Sequence, residues 1–97
     1  MRQGLKEMRE AVSWNARQAR QYGAAAVAGV EDIARSARRG DSPEDIAQQE
    51  AWTVEDARHA ARYGLRAIVG VETLAMMDRA AALRSLERFH PGRRVEL

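Results

Sequence analysis

Apolar and small residues recur every three or four positions through the first forty residues of the chain. They are Leu5, Met8, Val12, Ala19, Tyr22, Ala26, Gly29 and Ile33, and Asn15 and Ser36 fill the remaining places of the same register. This alternation of three and four places side chains along one stripe of an α-helix. Because no proline interrupts it, the pattern predicts one helix from about residue 3 to residue 38.

A glycine and a proline mark the end of this pattern and the start of the next. Gly40 suits the left-handed backbone that closes many helices. Ser42 precedes Pro43, Glu44 and Asp45, which is the composition of a capped helix start. A turn over residues 39–42 is so short that it predicts an antiparallel hairpin of two long helices.

The second helix carries a stripe of its own, predicted to run to about residue 90. Its members are Val54, Ala57, Ala61, Gly64, Ile68, Val71 and Ala75, followed by Leu83, Leu86 and Phe89. Thr53 with Asp56 three residues later has the composition of a second helix start, so two alternatives stay open. Either one helix runs from residue 43, or an interruption near residues 52–53 divides it. Pro91 and Gly92 end the helix and leave 91–97 as a tail.

The two halves of the chain are related by an internal repeat. Residues 16–35 and 57–76 agree at ten of twenty positions when they are aligned at an offset of 41. The matched positions include the expected helix-packing residues Tyr22, Gly23, Ala26 and Gly29 and their counterparts Tyr63, Gly64, Ala67 and Gly70. With the turn centred near residue 41, residue i faces about residue 82 − i. Both Tyr-Gly pairs then lie near mid-hairpin, where glycine lets the helix backbones approach closely.

The composition limits how much core the hairpin can build alone. Of 97 residues 45% are apolar, but many of these are alanine and only one is phenylalanine. Alanine buries little area, so a small all-α chain of this kind is expected to associate with itself or with another protein. We expect Ala/Gly seams to form a homo-oligomer, either a four-helix bundle or larger. Trp14 and Trp52 are expected at the interface, with at least one of them buried only on assembly.

Several classes of activity find no support in the sequence. The chain has no cysteine, no signal peptide at Met1–Lys6 and no apolar run long enough to span a bilayer, which predicts a soluble cytoplasmic protein. The serines do not combine with a base and an acid, and the glycines lie inside helical patterns instead of forming a phosphate loop. The sequence therefore predicts a non-enzyme without a cofactor.

The basic residues suggest an alternative, a nucleic-acid-binding or regulatory protein. Arg58, Arg62 and Arg66 recur every fourth residue and are the candidate anion contacts. The net charge is only +2, however, and Glu55 is spaced to pair with Arg58. We favour solvated, locally paired helix faces over nucleic-acid binding.

A second alternative is a metal-binding bundle. Glu87 and His90 form a Glu-x-x-His motif of the kind that di-iron bundles use, but those sites need two such motifs and two further glutamates. Glu31 and Glu72 are counterparts in the repeat, yet the hairpin geometry separates them by roughly 30 Å at about 1.5 Å per residue. We therefore predict no metal site.

One stretch resembles a known family. Asn15-Ala16 leads to Gly29-Val30-Glu31-Asp32-Ile33-Ala34 and then to Ser42-Pro43-Glu44-Asp45-Ile46-Ala47-Gln48-Gln49. This pattern, which extends over about residues 15–80, is similar to that of phasins, the helical proteins that coat bacterial polyester granules. The resemblance implies a non-catalytic, oligomerising protein that lies on an apolar granule surface. An apolar helical seam that opens can adsorb to such an interface. No phasin residue carries over as a site.

Overall fold

The protein is a helical hairpin. The computed structural model describes residues 2–89 and the side chains of residues 4–86. Helix α1 spans Arg2–Arg39 and helix α2 spans Pro43–Phe89, and the two pack side by side in opposite directions. The predicted all-α antiparallel hairpin is confirmed. Its Cα atoms occupy a plate of 74 × 26 × 14 Å, which is about one helix diameter deep.

Local hydrogen bonds in and beside the turn end α1 and cap the start of α2. Gly40 has a φ of 76°, and its amide donates to the carbonyl of Ala37 at 3.2 Å, while the amide of Asp41 donates to Ser36 at 3.0 Å. These two bonds form a Schellman motif, which requires the left-handed residue that glycine supplies. The hydroxyl of Ser42 accepts from the amide of Asp45 at 3.2 Å and caps α2.

Helix α2 is continuous through residues 52–53, where the sequence was compatible with an interruption. The Thr53 hydroxyl donates to the carbonyl of Gln49 at 2.8 Å, one turn earlier, instead of capping a new helix at Asp56. A threonine hydroxyl that bonds to a carbonyl one turn earlier is compatible with the interior of a helix, so α2 continues without a break.

The stripe by which α2 faces α1 is shifted by one position toward the N-terminus from the predicted stripe, so that the two stripes share no residue. The side of α2 that packs on α1 carries Thr53, Asp56, Ala60, Tyr63, Ala67, Gly70 and Leu74, all buried or half-buried. The predicted stripe was wrong: Val54, Ala57, Ala61, Ile68, Val71, Ala75 and Leu86 are exposed, while Gly64 and Leu83 are half-buried. The observed choice matches the internal repeat, because it places Tyr63 opposite its counterpart Tyr22 and leaves both rings half-buried. Burying a tyrosine ring removes far more apolar surface from water than burying a glycine does.

The helices approach most closely at the second glycine of each repeat. A Cβ added to Gly29 would collide with the Thr53 side chain, and one added to Gly70 would collide with Val12. The sequence placed this role on the Tyr-Gly pairs, which is wrong. Gly23 has no atom within 4 Å of an added Cβ, and Gly64 has only the Ala19 Cβ at 3.9 Å.

The core between the helices is thin. Within residues 4–86, Leu74 at 9% exposure is the buried apolar side chain, and the most buried residue is Ser36 at 1%. Small residues at the seam bring the backbones together but contribute little apolar area. The hairpin therefore leaves most of its large aliphatic side chains in contact with solvent.

Alanine substitutions distinguish the two kinds of glycine. We expect Gly29→Ala and Gly70→Ala each to lower the free energy of unfolding by roughly 1 kcal/mol. Overpacking costs about 1–3 kcal/mol, and this exceeds the roughly 1 kcal/mol that alanine gains over glycine within a helix. Gly23→Ala is the matched control and should leave the free energy of unfolding unchanged or raise it. Thermal and urea unfolding followed by circular dichroism measure both effects. An equal gain at all three positions would contradict the close approach at Gly29 and Gly70.

Candidate interaction surface

An aromatic cluster lies at the middle of the hairpin on one of its two broad faces. The rings of Tyr22 and Tyr63 stack at 5.8 Å with 7° between their planes. His59 lies 4.8 Å from Tyr22, and Trp14 meets Tyr63 edge-on at 5.5 Å. We call the side that carries these four rings the aromatic face. The two tyrosines are counterparts in the repeat, so their stack marks the local two-fold axis of the hairpin.

The predicted tryptophan anchors are both largely exposed. Trp14 is 47% exposed although it contacts Tyr63, and Trp52 is 62% exposed nearer the turn. The predicted packing residues Ala26 and Ala67 are half-buried between the helices. The structure thus brings Trp14, Tyr22 and Tyr63 into one cluster and leaves Trp52 apart from it.

The three candidate anion contacts on α2, Arg58, Arg62 and Arg66, do not converge on one point. Arg58 donates to Glu55 at 3.1 Å, which confirms the local pairing expected from their spacing. The guanidinium of Arg66 lies 5.5 Å from the centre of the Tyr63 ring, in a cation–π arrangement. Arg62 is exposed. Two of the three side chains are therefore directed to partners within the hairpin.

A polar junction joins the helices beside the turn. The buried Ser36 hydroxyl accepts from Gln49 Nε2 at 2.8 Å and from Arg39 at 3.2 Å, and Arg39 also donates to Asp41 at 2.9 Å. The hydrogen bond from Arg39, followed by one from Ser36, holds the pKa of Asp41 below its ordinary value of 3.8. The same Asp41 hydrogen bond raises the pKa of Arg39. These groups fix the two helix ends relative to each other.

An open cavity of about 590 Å³ lies next to the polar junction, on the aromatic face. Its rim includes Trp52 and Asp56 from α2, and Asp32 and Arg35 of α1, which are themselves an ion pair. Asp32, Arg35 and Arg39 are exposed to solvent and Asp56 is half-buried. The cavity is therefore an open depression lined by charged side chains of both signs.

The opposite broad face is apolar. Val27 and Val30 of α1 are 61% and 60% exposed, and Ile68 and Val71 of α2 are 58% and 54% exposed. A groove of about 280 Å³ on this side is lined by Val12, Ala16, Ala67, Ile68, Val71 and Glu72. We call the side that carries Ala16, Val27, Val30, Val54, Ile68 and Val71 the valine face. It is an exposed apolar surface that extends over both helices.

The valine face is not among the sites that the sequence predicts. Its α2 half is predicted to pack against α1, and its α1 half, Val27 and Val30, lies outside the predicted α1 seam. The repeat provides a signal for it, since an offset of 41 aligns Val27 with Ile68 and Val30 with Val71. A second apolar stripe that recurs in both halves of the chain indicates a second contact surface.

Neither a metal-binding cluster nor a membrane-spanning segment is found among the described residues. Residues 4–86 contain no group of three or more histidine, aspartate or glutamate side chains placed to hold a metal ion. The candidate ligands Glu87 and His90 lie outside the described side chains, as do Phe89 and the predicted tail. Along the described helices, no segment is both long enough and apolar enough to cross a membrane.

Comparison with protein-family models, with curated proteins and with solved structures finds no match to the chain.

The polar junction predicts a specific dependence of stability on pH. Because the pKa of Asp41 is lower in the folded state, its ionised form stabilises the fold above about pH 4, and this contribution is lost as the pH falls through the folded pKa. We expect the thermal midpoint to fall less between about pH 5 and pH 2 in Asp41→Asn than in the wild type. Glu10→Gln, at the other end of the hairpin, is the control. An unchanged pH profile in Asp41→Asn would contradict the role of the Arg39 hydrogen bond.

Proposed function

We propose that this chain is a non-catalytic helical interaction protein whose folded, functional form is an assembly of several copies. The observation that carries the proposal is the exposure of the valine face on a plate only 14 Å deep. A hairpin of this depth is one layer of helices, whereas stable domains consist of at least two layers packed around a core.

The distribution of apolar side chains supports the same proposal. The seam between the helices encloses small residues, while Val27, Val30, Ile68 and Val71 each remain more than half exposed. Contiguous apolar surface of this kind is typical of interaction sites. A second layer of helices would cover it and would supply the core that the isolated hairpin lacks.

The same face supports a second candidate, the coating of an apolar surface that the phasin resemblance implies. A flat plate with one apolar side can adsorb to a hydrophobic interface with its charged side in water. The nucleic-acid alternative is weaker, because Arg58 is paired with Glu55 and Arg66 lies over Tyr63.

Light scattering coupled to size-exclusion chromatography tests self-association. We expect a mass of at least twice the chain mass of 10.8 kDa at micromolar concentration, and a thermal midpoint that rises with protein concentration. A monomer of 10.8 kDa that unfolds cooperatively at a concentration-independent temperature would contradict the proposal.

Adsorption to oil droplets tests the surface-coating candidate separately. If the valine face coats apolar surfaces, the protein should partition onto hexadecane droplets in water, and Val30→Glu should weaken this partitioning because it places a carboxylate against the oil. The droplets are separated by flotation and the bound protein is measured. Equal recovery of wild type and variant, or no recovery of either, would exclude coating through this face.

A further inference from the structure

We propose that a second copy of this chain docks on the valine face, so that two hairpins pack face to face as a four-helix bundle with their aromatic faces outward. This inference rests on the proposed function, and it adds which surface mediates assembly and what covers it. The occupant is identified by the spacing, the symmetry and the area of the face.

The spacing of the valine face is that of a helix-packing seam. On α2 its positions are Val54, Ala57, Ala61, Gly64, Ile68, Val71 and Ala75, which follow one another at intervals of three and four without a charged residue. A stripe of this period is what one helix presents to another in a coiled coil or bundle. Helix α2 already uses its neighbouring stripe against α1, so this one is suited to a helix from outside the chain.

The face also has approximate two-fold symmetry, which suits the interface of a homodimer. The offset of 41 aligns Val27 with Ile68 and Val30 with Val71, so the hairpin's own two-fold axis relates the two halves of the face. In a two-fold dimer the same patch of each copy contacts the other. Four pairs of positions are apolar on both helices, namely Ala16 and Ala57, Val27 and Ile68, Val30 and Val71, and Ala34 and Ala75, whereas Ser13 and Arg20 are the counterparts of Val54 and Ala61.

The area is what a stable dimer needs. From Val54 to Ala75 the stripe is about 32 Å long at ~1.5 Å per residue, and two helices side by side are roughly 20 Å wide with their side chains. The product is roughly 640 Å² on each copy, which lies within the roughly 600–1,000 Å² that one partner contributes to a standard-size interface. A second identical plate covers this area completely, whereas a single helix would cover about half of its width.

The aromatic face is less suited to this role. Its cavity beside the turn is lined by the exposed Asp32 and Arg35 and by the half-buried Asp56, and its middle carries Arg66 above the Tyr63 ring. A partner would have to remove water from these charges, which opposes binding. On the valine face, Arg20 lies seven residues before Val27 and therefore on the same side of α1, Glu72 lies at the rim of the groove, and the Arg9 to Asp78 pair, at 3.1 Å, lies beyond the open end of the apolar region.

A matched pair of substitutions tests the assignment. Val71 and Val69 are 54% and 52% exposed, but they lie on opposite broad faces because successive residues of a helix are about 100° apart. In the full chain, Val71→Glu should raise the dimer dissociation constant at least about a hundredfold, because each copy would bury an unpaired carboxylate. Val69→Glu introduces the same group on the aromatic face and should leave the constant within about threefold of wild type.

The dissociation constant is obtained from sedimentation equilibrium over a range of concentrations, and circular dichroism reports helix content on the same samples. If Val71→Glu unfolds on dissociation, Val71→Ala replaces it, because alanine preserves the helix while it removes part of the contact. We then expect about a tenfold rise in the dissociation constant.

The outcomes separate this inference from the function on which it rests. Dissociation by substitutions at Val71 alone supports docking on the valine face. A wild-type dimer that Val69→Glu dissociates, or that neither glutamate affects, overturns the inference and leaves self-association standing. A wild type that is monomeric at all concentrations overturns both, and adsorption to oil droplets by that monomer would identify an apolar surface as the occupant instead.

Discussion

The register of the hairpin depends on two equivalent contacts in which a β-branched side chain meets a glycine. Val12 packs over Gly70, and Thr53 packs over Gly29. The offset of 41 converts one contact into the other, so the two lie at equal distances on either side of the stacked tyrosines. Sliding one helix along the other would move Val12 and Thr53 onto residues that have a Cβ, which close packing would not tolerate. The antiparallel alignment, the tyrosine stack and the position of the turn are consistent with these two contacts.

The two ends of the hairpin depart from this symmetry, because the turn end is polar whereas the open end carries methionines. Near the turn, Ser36 and Gln49 form a hydrogen-bonded pair that also engages Arg39. The equivalent positions at the open end are occupied by Met77 and Met8. A buried polar pair that is fully hydrogen-bonded specifies its partner more strictly than methionine, which adapts to many shapes. The side-chain partners at the turn end are therefore strictly specified, whereas the packing at the open end is adaptable.

The way α2 is oriented explains why the molecule has an apolar outer face. Helix α2 carries two adjacent stripes, one containing Tyr63 and Gly70 and the other containing Ile68 and Val71. Pairing within the chain uses the first stripe, because there Tyr63 meets Tyr22 and Gly70 admits Val12. The second stripe is left outside together with Val27 and Val30 of α1. Folding of the single chain thus covers one seam and presents another, and assembly through that second seam is the central proposal for its function.

Local features of the sequence determined most of the secondary structure. The three-and-four spacing, Gly40, the Ser42-Pro43 start and the short turn are each read from neighbouring residues, and together they specify two long antiparallel helices. The alignment near residue 82 − i also follows from sequence, since the turn position and the repeat both imply it.

Only the tertiary structure decided which side of α2 faces α1. Both stripes satisfy the helical period, and the more continuously apolar one led to the wrong choice. Packing selects by shape as well as by hydrophobicity: the observed stripe stacks Tyr63 on Tyr22 and places Gly70 against Val12, whereas the alternative stripe from Val54 to Ala75 has no aromatic ring to pair with Tyr22. That complementarity involves pairs of residues 24 to 58 positions apart along the chain, so no local pattern contains it. The valine face, which depends on this choice, became visible as a surface only in three dimensions.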